Sequence, residues 1–333
     1  ISSEDGVFNI PLTLYSNRIV VAKDKSKLGR PSIIISNTRF KFKVENSMKP
    51  IRIQVQNPFS KEKFDLNVDN SPSLPAHKFN LPIFKETMIK EDLKILKGTV
   101  HVHKNLIFKK KVIIKPGTKF LISKDVNIIF LNSVHALGTK DKPIIFKKIN
   151  DTNLDNNWGS IVVQGQKTKN SKFQNVIVNG GSGGKVDQFI YTAMFSLHDT
   201  RDIVLKNISL IDNKIYDDAL HLVYCKNILL ENILIKNAFS DALDIDISDG
   251  IFIKKSIFLN PKNDSIDIME SKVLVDSTEI YNSGDKGISV GENSNVIIHN
   301  THLNSNNIGI AVKDNSIAKV VYTDFNNNII QVG

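Results

Sequence analysis

Five stretches of the C-terminal half decide the fold: Asp218-Ala-Leu-His-Leu, Asp241-Ala-Leu-Asp-Ile, Asp264-Ser-Ile-Asp-Ile, Gly287-Ile-Ser-Val and Gly309-Ile-Ala-Val. Aligned on Leu220, Leu243, Ile266, Ile288 and Ile310, they recur at spacings of 23, 23, 22 and 22 residues. A second apolar run follows in each unit, as in Ile228-Leu-Leu, Ile251-Phe-Ile, Val273-Leu-Val and Val296-Ile-Ile. A third follows that, as in Ile233-Leu-Ile, Ile257-Phe-Leu, Thr278-Glu-Ile and Thr301-His-Leu. Asn, Asp, Ser and Gly separate the runs, the residues that make turns. Three short strands per unit, repeated, describe one coil of a parallel β-helix. A lone coil cannot bury its inward side chains. Stacked coils, about 4.8 Å apart, enclose a continuous Ile/Leu/Val core. The Leu spacing of leucine-rich repeats is missing, and a β-propeller needs longer units.

Working outward, the pattern continues upstream through Ile203-Val-Leu, Phe173-Gln-Asn-Val, Trp158-Gly-Ser-Ile, Ile144-Ile-Phe, Val112-Ile-Ile and Val100-His-Val. The expected fold is therefore all-β, a right-handed parallel β-helix of about ten coils over residues 98–333. Residues 1–90 read as a small N-terminal β domain or cap. In them Ile33–Val44 and Ile51–Val68 alternate apolar and polar residues, as half-buried antiparallel strands do. Pro72, Pro75 and Pro82 mark a linker or irregular cap.

The chain has 333 residues, 41% of them hydrophobic, enough for a large core. No apolar run approaches the ~18 residues that span a membrane. The start, Ile1-Ser2-Ser3-Glu4, has no basic-then-apolar leader, so we expect one to have been removed. The single Cys225 excludes an internal disulfide and reads as a buried structural thiol. Charge is uneven: residues 185–333 hold 13 Lys/Arg against 20 Asp/Glu, and residues 1–184 hold 31 against 14. The basic half suits an anionic polymer, although scattered lysines more often form a solvated face.

Register assigns the chemistry. If Leu220, Leu243 and Ile266 point inward, then His221, Asp244 and Asp267 point outward and stack on successive coils. Asp218, Asp241 and Asp264 form a parallel column at the strand starts, with Asp285 expected next. Asp246 faces out beside Asp244, Asp217 flanks the group, and Lys286 follows Asp285. Carboxylates stacked at this spacing repel one another unless protonated, paired or metal-bound. Three readings stay open. Asp241, Asp244, Asp264, Asp267 and Asp285 could bind Ca²⁺, the candidate cofactor. A carboxylate pair could perform glycoside hydrolysis. Strand-start aspartates could simply satisfy backbone N–H groups at turns. Asp244 and Asp267 sit mid-strand, where Asp is disfavoured, so the turn reading suits them less. Tyr191, His198 and Arg201 precede the first aspartate coil and could rim the same groove. Gly180-Gly181-Ser182-Gly183-Gly184 reads as a flexible loop over one face, and Trp158 as a core or turn aromatic or a sugar platform. Asn207, Asn232 and Asn300 read as a turn-stabilising ladder inside the solenoid.

Tyr216-Asp-Asp-Ala-Leu-His, Ser240-Asp-Ala-Leu-Asp-Ile-Asp, Asn263-Asp-Ser-Ile-Asp and Gly284-Asp-Lys-Gly-Ile-Ser-Val-Gly resemble the Asp-bearing coils of the pectin-lyase-like right-handed β-helix superfamily, in a bacterial group. The resemblance covers roughly residues 98–333. It implies a secreted, periplasmic or cell-surface protein acting on an acidic polysaccharide bound along the coils. The Asn-Thr-Asp and Gly-His-Gly of polygalacturonases are absent. The leading expectation is a lyase or C5-epimerase acting on a uronate held by Ca²⁺, with Lys286 or His221 abstracting the C5 proton. A retaining hydrolase would use Asp244 and Asp267. A non-catalytic module for glycan binding, adhesion or assembly is the rival of another class. We expect a monomer with no nucleic-acid partner, and a partner domain on the N-terminal side.

Overall fold

The computed structural model describes residues 93–149, 157–186 and 189–333, together with six short strands between residues 2 and 66. The chain divides into two compact units, Ile1–Leu81 and Pro82–Gly333. In the first, Gly6–Val7, Ser2–Ser3, Pro50–Gln56 and Lys63–Leu66 form one sheet with antiparallel pairing, and Val20–Lys23 pairs antiparallel with Pro31–Ile34. The remainder of the Ile33–Val44 run and Pro72, Pro75 and Pro82 lie outside the described residues.

The second unit is a stack of parallel coils that begins with the strand Lys94–Leu96. One face is a ten-stranded parallel sheet running from Leu106–Phe108 to Ile330–Val332, one strand per coil. The other faces belong to one seventeen-stranded sheet, folded at its corners. In Arg201–Ile211 and Lys226–Lys236 the second and third runs are a single strand, bent at Asn207 (φ 54°) and Asn232 (φ 55°). A left-handed backbone turns the corner in one residue, and Asn tolerates it better than other non-glycine residues.

The corner side chains bond from coil to coil. Asn207 Nδ2 donates to Asn175 Oδ1 at 3.0 Å, and Asn232 Nδ2 to Asn207 Oδ1 at 2.8 Å. This ladder lies outside the solenoid, not inside it as expected, since Asn232 and Asn300 are exposed while Leu205 and Ile208 fill the inward positions. A different ladder runs inside. Cys225 N donates to Ser248 Oγ (2.9 Å), Ser248 N to Ser271 Oγ (2.8 Å), Ser271 N to Ser294 Oγ (3.1 Å) and Ser294 N to Ser316 Oγ (3.1 Å). It answers the buried turn N–H groups of four successive coils. Cys225 is buried, and burial pushes its thiol up to about 12, which makes it structural as expected.

The core is one continuous cluster. Early coils stack Phe108 on Phe130 (5.2 Å between ring centres) and Phe120 on Phe146 (4.3 Å), and later coils use Ile, Leu and Val. Trp158 is buried in this core and its Nε1 donates to Asn179 O at 2.9 Å, so it offers no sugar platform.

The ladders make two stability predictions. Ser271→Ala leaves Ser248 N unanswered in the interior, and we expect a loss of about 1–3 kcal/mol, read by denaturant unfolding. Lys255 (φ 50°) occupies the corner in register with Asn232. Lys255→Asn should gain up to about 1 kcal/mol, because it relieves a left-handed position and extends the ladder; a lower midpoint would contradict this account of the corner.

Candidate functional site

The ten-stranded sheet carries the aspartates. Burial alternates along Leu220–Val223, Leu243–Asp246 and Ile266–Met269, with Leu220, Leu243 and Ile266 at 0% exposure. Register pairs His221 with Asp244, Asp244 with Asp267, and Asp267 with Ser289. The outward column is therefore His221, Asp244 and Asp267 on three successive coils, one strand apart.

The strand-start column runs Asp218, Asp241, Asp264 and then Lys286, because Ile266 pairs with Ile288. The expectation that Asp285 continues it is corrected: Asp285 lies one residue earlier, bonded through its backbone to Asn263. Two of these aspartates do turn chemistry. Asp241 Oδ1 accepts from Asp264 N at 2.7 Å and from Asn263 Nδ2 at 2.9 Å. Asp264 Oδ1 accepts from Lys286 N at 2.8 Å, and Lys286 Nζ lies 3.4 Å from the same carboxylate while also bonding Asp285. An ammonium ends the column of like charges.

Asp218 belongs to a different cluster. Thr192 Oγ1 donates to Asp218 Oδ2 at 3.1 Å and lies 3.2 Å from His221 Nδ1. His221 Nε2 lies 3.3 Å from Asp246 Oδ2 and 3.7 Å from Asp244 Oδ2. These side chains are 14% (His221), 22% (Asp244) and 21% (Asp246) exposed, so they are largely desolvated yet open to a ligand. Burial opposes the His221 charge, but the hydrogen bond to Asp246 and the charges of Asp218, Asp246 and Asp217 outweigh it and raise its pKa. Burial, then the charges of Asp246, Asp218 and Asp267, push Asp244 well above the carboxylate range. Burial lifts Asp218 to about 8 and Asp241 to about 7. The patch thus sets a histidine whose charged form its aspartates favour among carboxyls whose charged form burial opposes. His198 is the opposite case: burial, then the charge of His221, hold it well below the usual imidazole value. Its ring meets His221 edge-on at 5.1 Å.

Of the other expected residues, Tyr191 is buried and sits 5.6 Å from the His198 ring. Asp217 is exposed beside Asp218. Arg201 lies beyond the turn on the seventeen-stranded sheet, 3.7 Å from Asp202, and does not join the cluster. Sequence reading missed Thr192, whose signal was its register with Asp217 one coil later. It also missed Ser196 and Ser289, whose buried hydroxyls have no hydrogen-bond partner among the described residues.

Two groups bring ligand atoms within 4.8 Å of one another: Asp218, His221 and Asp244, and Asp217, Asp218 and Asp241. The acidic patch can therefore hold a metal ion. The five carboxylates expected around one ion do not converge. Asp241 and Asp244 fall in different groups, Asp264 and Asp285 close on Lys286, and Asp267 Oδ1 accepts from Ile268 N at 3.1 Å. The all-oxygen set Asp217, Asp218 and Asp241 has the donor chemistry Ca²⁺ prefers. A cleft lies to the side, lined by Lys214, Phe239 and Lys262, with the Lys262 ammonium 4.5 Å above the Phe239 ring.

The raised carboxyls set a pH dependence. A group whose pKa is higher in the folded state stabilises fully below its unfolded pKa, and that stability is lost as pH rises through the folded value. Asp218, Asp241, Asp244 and His221 share this sign, and His198 has the opposite one. We expect the melting temperature to fall from about pH 5 to about pH 9, and Asp218→Asn to flatten that fall. A profile that rises over this range would contradict the burial account.

Residues 193–332 match the family model described as right handed beta helix region. No curated protein matches the chain. Among solved structures it is similar to the A-module of mannuronan C-5 epimerase AlgE4 from Azotobacter vinelandii, at 10% identity over 71% of this chain and 88% of that one, TM-score 0.35. It is also similar to the catalytic domain of a GH87 alpha-1,3-glucanase, at 10% identity over 73% and 62%, TM-score 0.37. A third is the Streptococcus pneumoniae surface protein and adhesin PfbA, at 10% identity over 71% and 91%, TM-score 0.29. At such TM-scores these likenesses carry no chemistry to this chain. The ten stacked coils and the match over residues 193–332 make this part of the protein a right-handed parallel β-helix.

Proposed function

We propose that the protein is a polysaccharide-active enzyme that cleaves an acidic, uronate-containing glycan by acid–base chemistry on the outer face of the ten-stranded sheet. One observation carries this reading: Asp244, largely desolvated, pairs in register with Asp267 and lies 3.7 Å from His221, and burial pushes its carboxyl well above the usual range. Glycosidic cleavage needs a proton at the leaving oxygen, and Asp244 supplies it. Asp267 lies one strand away, about 4.8 Å. That spacing suits a retaining hydrolase, in which the second carboxylate is the nucleophile.

Lyase or C5-epimerase chemistry is the second reading, with roles that the charge states revise. Lys286 is held protonated by Asp285 and Asp264 against the effect of its burial, and the hydrogen bond to Asp246 and the surrounding aspartates shift His221 towards its charged form. Neither suits the role of base at neutral pH, so Asp267 takes the C5 proton. The observation favouring this reading is His221 at the head of the column, 3.7 Å from Asp244 and 3.3 Å from Asp246, whose charged form would offset an enolate-like charge. Calcium on Asp217, Asp218 and Asp241 would add positive charge for a substrate carboxylate. The Lys214 and Lys262 ammoniums around Phe239 support an acidic sugar. Such a substrate fits a secreted, periplasmic or surface location, and among the described residues no helix is long and apolar enough to cross a membrane.

The test is incubation with polyuronates and a neutral glucan, followed by reducing-end release and by absorbance of unsaturated product. Reducing ends without that absorbance support hydrolysis; both together support the lyase. Asp244→Asn should lower turnover by about 10²- to 10⁴-fold with the fold intact by circular dichroism. Turnover untouched by both Asp244→Asn and Asp267→Asn would remove this site assignment. Tight glycan binding with no turnover would instead make the protein a binding or adhesion module.

A further inference from the structure

We infer that the groove is closed at its N-terminal end by the hairpin Gly184–Val186/Phe189–Tyr191, so that the enzyme acts at glycan chain ends rather than within chains. This rests on the polysaccharide-cleaving reading above. The outward column that ends in His221, Asp244 and Asp267 begins differently. Register runs it back through Ser196 and Val162 to Ile129 and Ile107. Ile129 and Val162 face outward, because Ile128, Phe130, Ile161 and Val163 fill the core. Outward apolar side chains on a solvent-facing sheet should be exposed, yet both are at 0%. They form a separate cluster with Val186 and Tyr191, and Ile107, Leu131 and Phe189 pack on it. An antiparallel hairpin therefore lies over the N-terminal coils on the outer face.

The hairpin is held at its roots. Tyr191 Oη donates to Gln164 Oε1 at 2.8 Å. Ser182 Oγ accepts from Ile215 N at 2.6 Å and from Tyr216 N at 3.1 Å. The glycine run leading into it is packed, which corrects the expectation of a flexible loop. A Cβ on Gly181 would come within 2.8 Å of Met194 and Trp158, and Gly183 (φ 84°) faces Tyr191 O at 2.5 Å from its would-be Cβ.

This wall ends directly on the reacting groups. Thr192, the residue after the hairpin, is the one that bonds Asp218 and meets His221. Ser196, the column neighbour of His221, is fully buried. A sugar lying along the column has no surface on the N-terminal side of His221. On the other side the strands Lys286–Gly291, Ile308–Val312 and Ile330–Val332 follow one another with no hairpin laid over them among the described residues, and Ser289 and Ala311, both buried, continue the column with small side chains. The hairpin blocks extension of a glycan towards the early coils, so its terminus abuts the hairpin.

The experiment follows viscosity, reducing ends and product length together as the wild-type protein digests a soluble polyuronate. End-wise action predicts mono- or disaccharides from the earliest times, with viscosity nearly constant while reducing ends accumulate. Early viscosity loss with long oligomers overturns the closed groove and leaves the cleavage reading standing. No cleavage of any polyuronate or glucan overturns both. Val186→Ser with Phe189→Ser loosens the hairpin outside the reacting residues; the fraction of long oligomers should then rise several-fold. An unchanged pattern from that folded variant would remove the hairpin from this role. Should the variant not fold, the wild-type product profile decides alone.

Discussion

Stacking at one strand spacing is the constraint on which everything else depends. Each coil hydrogen-bonds to the next in register, so a side chain sits directly beside its counterpart one repeat later. For apolar inward residues this is favourable, and Leu220, Leu243, Ile266 and Ile288 stack into the core. For outward carboxylates it is unfavourable, since like charges are brought within a few ångströms without room to splay apart.

The protein relieves that repulsion in several ways on one sheet. Asp241 and Asp264 spend an oxygen on the backbone N–H of the following coil. Lys286 ends the strand-start column with an ammonium between Asp264 and Asp285. His221 sits among Asp218, Asp244 and Asp246, which favour its charged form. Burial raises the Asp218 and Asp244 carboxyls and so opposes their charge. The first two are structural solutions; the last two leave groups of shifted pKa on a partly exposed face, the kind of place where functional sites cluster.

The sheet is also asymmetric along the stack. Its outer surface is apolar and covered by a hairpin on the early coils, polar on the middle coils, and lined by small residues on the late ones. The same β-helix thus presents a covered apolar stretch, a polar patch and a stretch of small residues without departing from one repeated backbone path.

The repeat, the inward positions and the outward His221, Asp244 and Asp267 column were legible in the sequence by itself, because a period of two along a strand and 22 or 23 between coils leaves no other register for Leu220, Leu243 and Ile266. The turn role of Asp241 and Asp264 was also within reach, since Asp at a strand start answers nearby N–H groups. That Lys286, not Asp285, follows Asp264 was within reach too, since the alignment of Ile266 with Ile288 already puts Lys286 level with Asp264, and the structure keeps that register. The tertiary structure alone decided the charge states, which depend on how deeply each carboxyl is desolvated and on what faces it across coils. It alone brought Thr192 to His221 and laid the Gly184–Tyr191 hairpin over Ile129 and Val162, since contacts between segments distant in sequence follow from the path of the chain in space rather than from any local pattern.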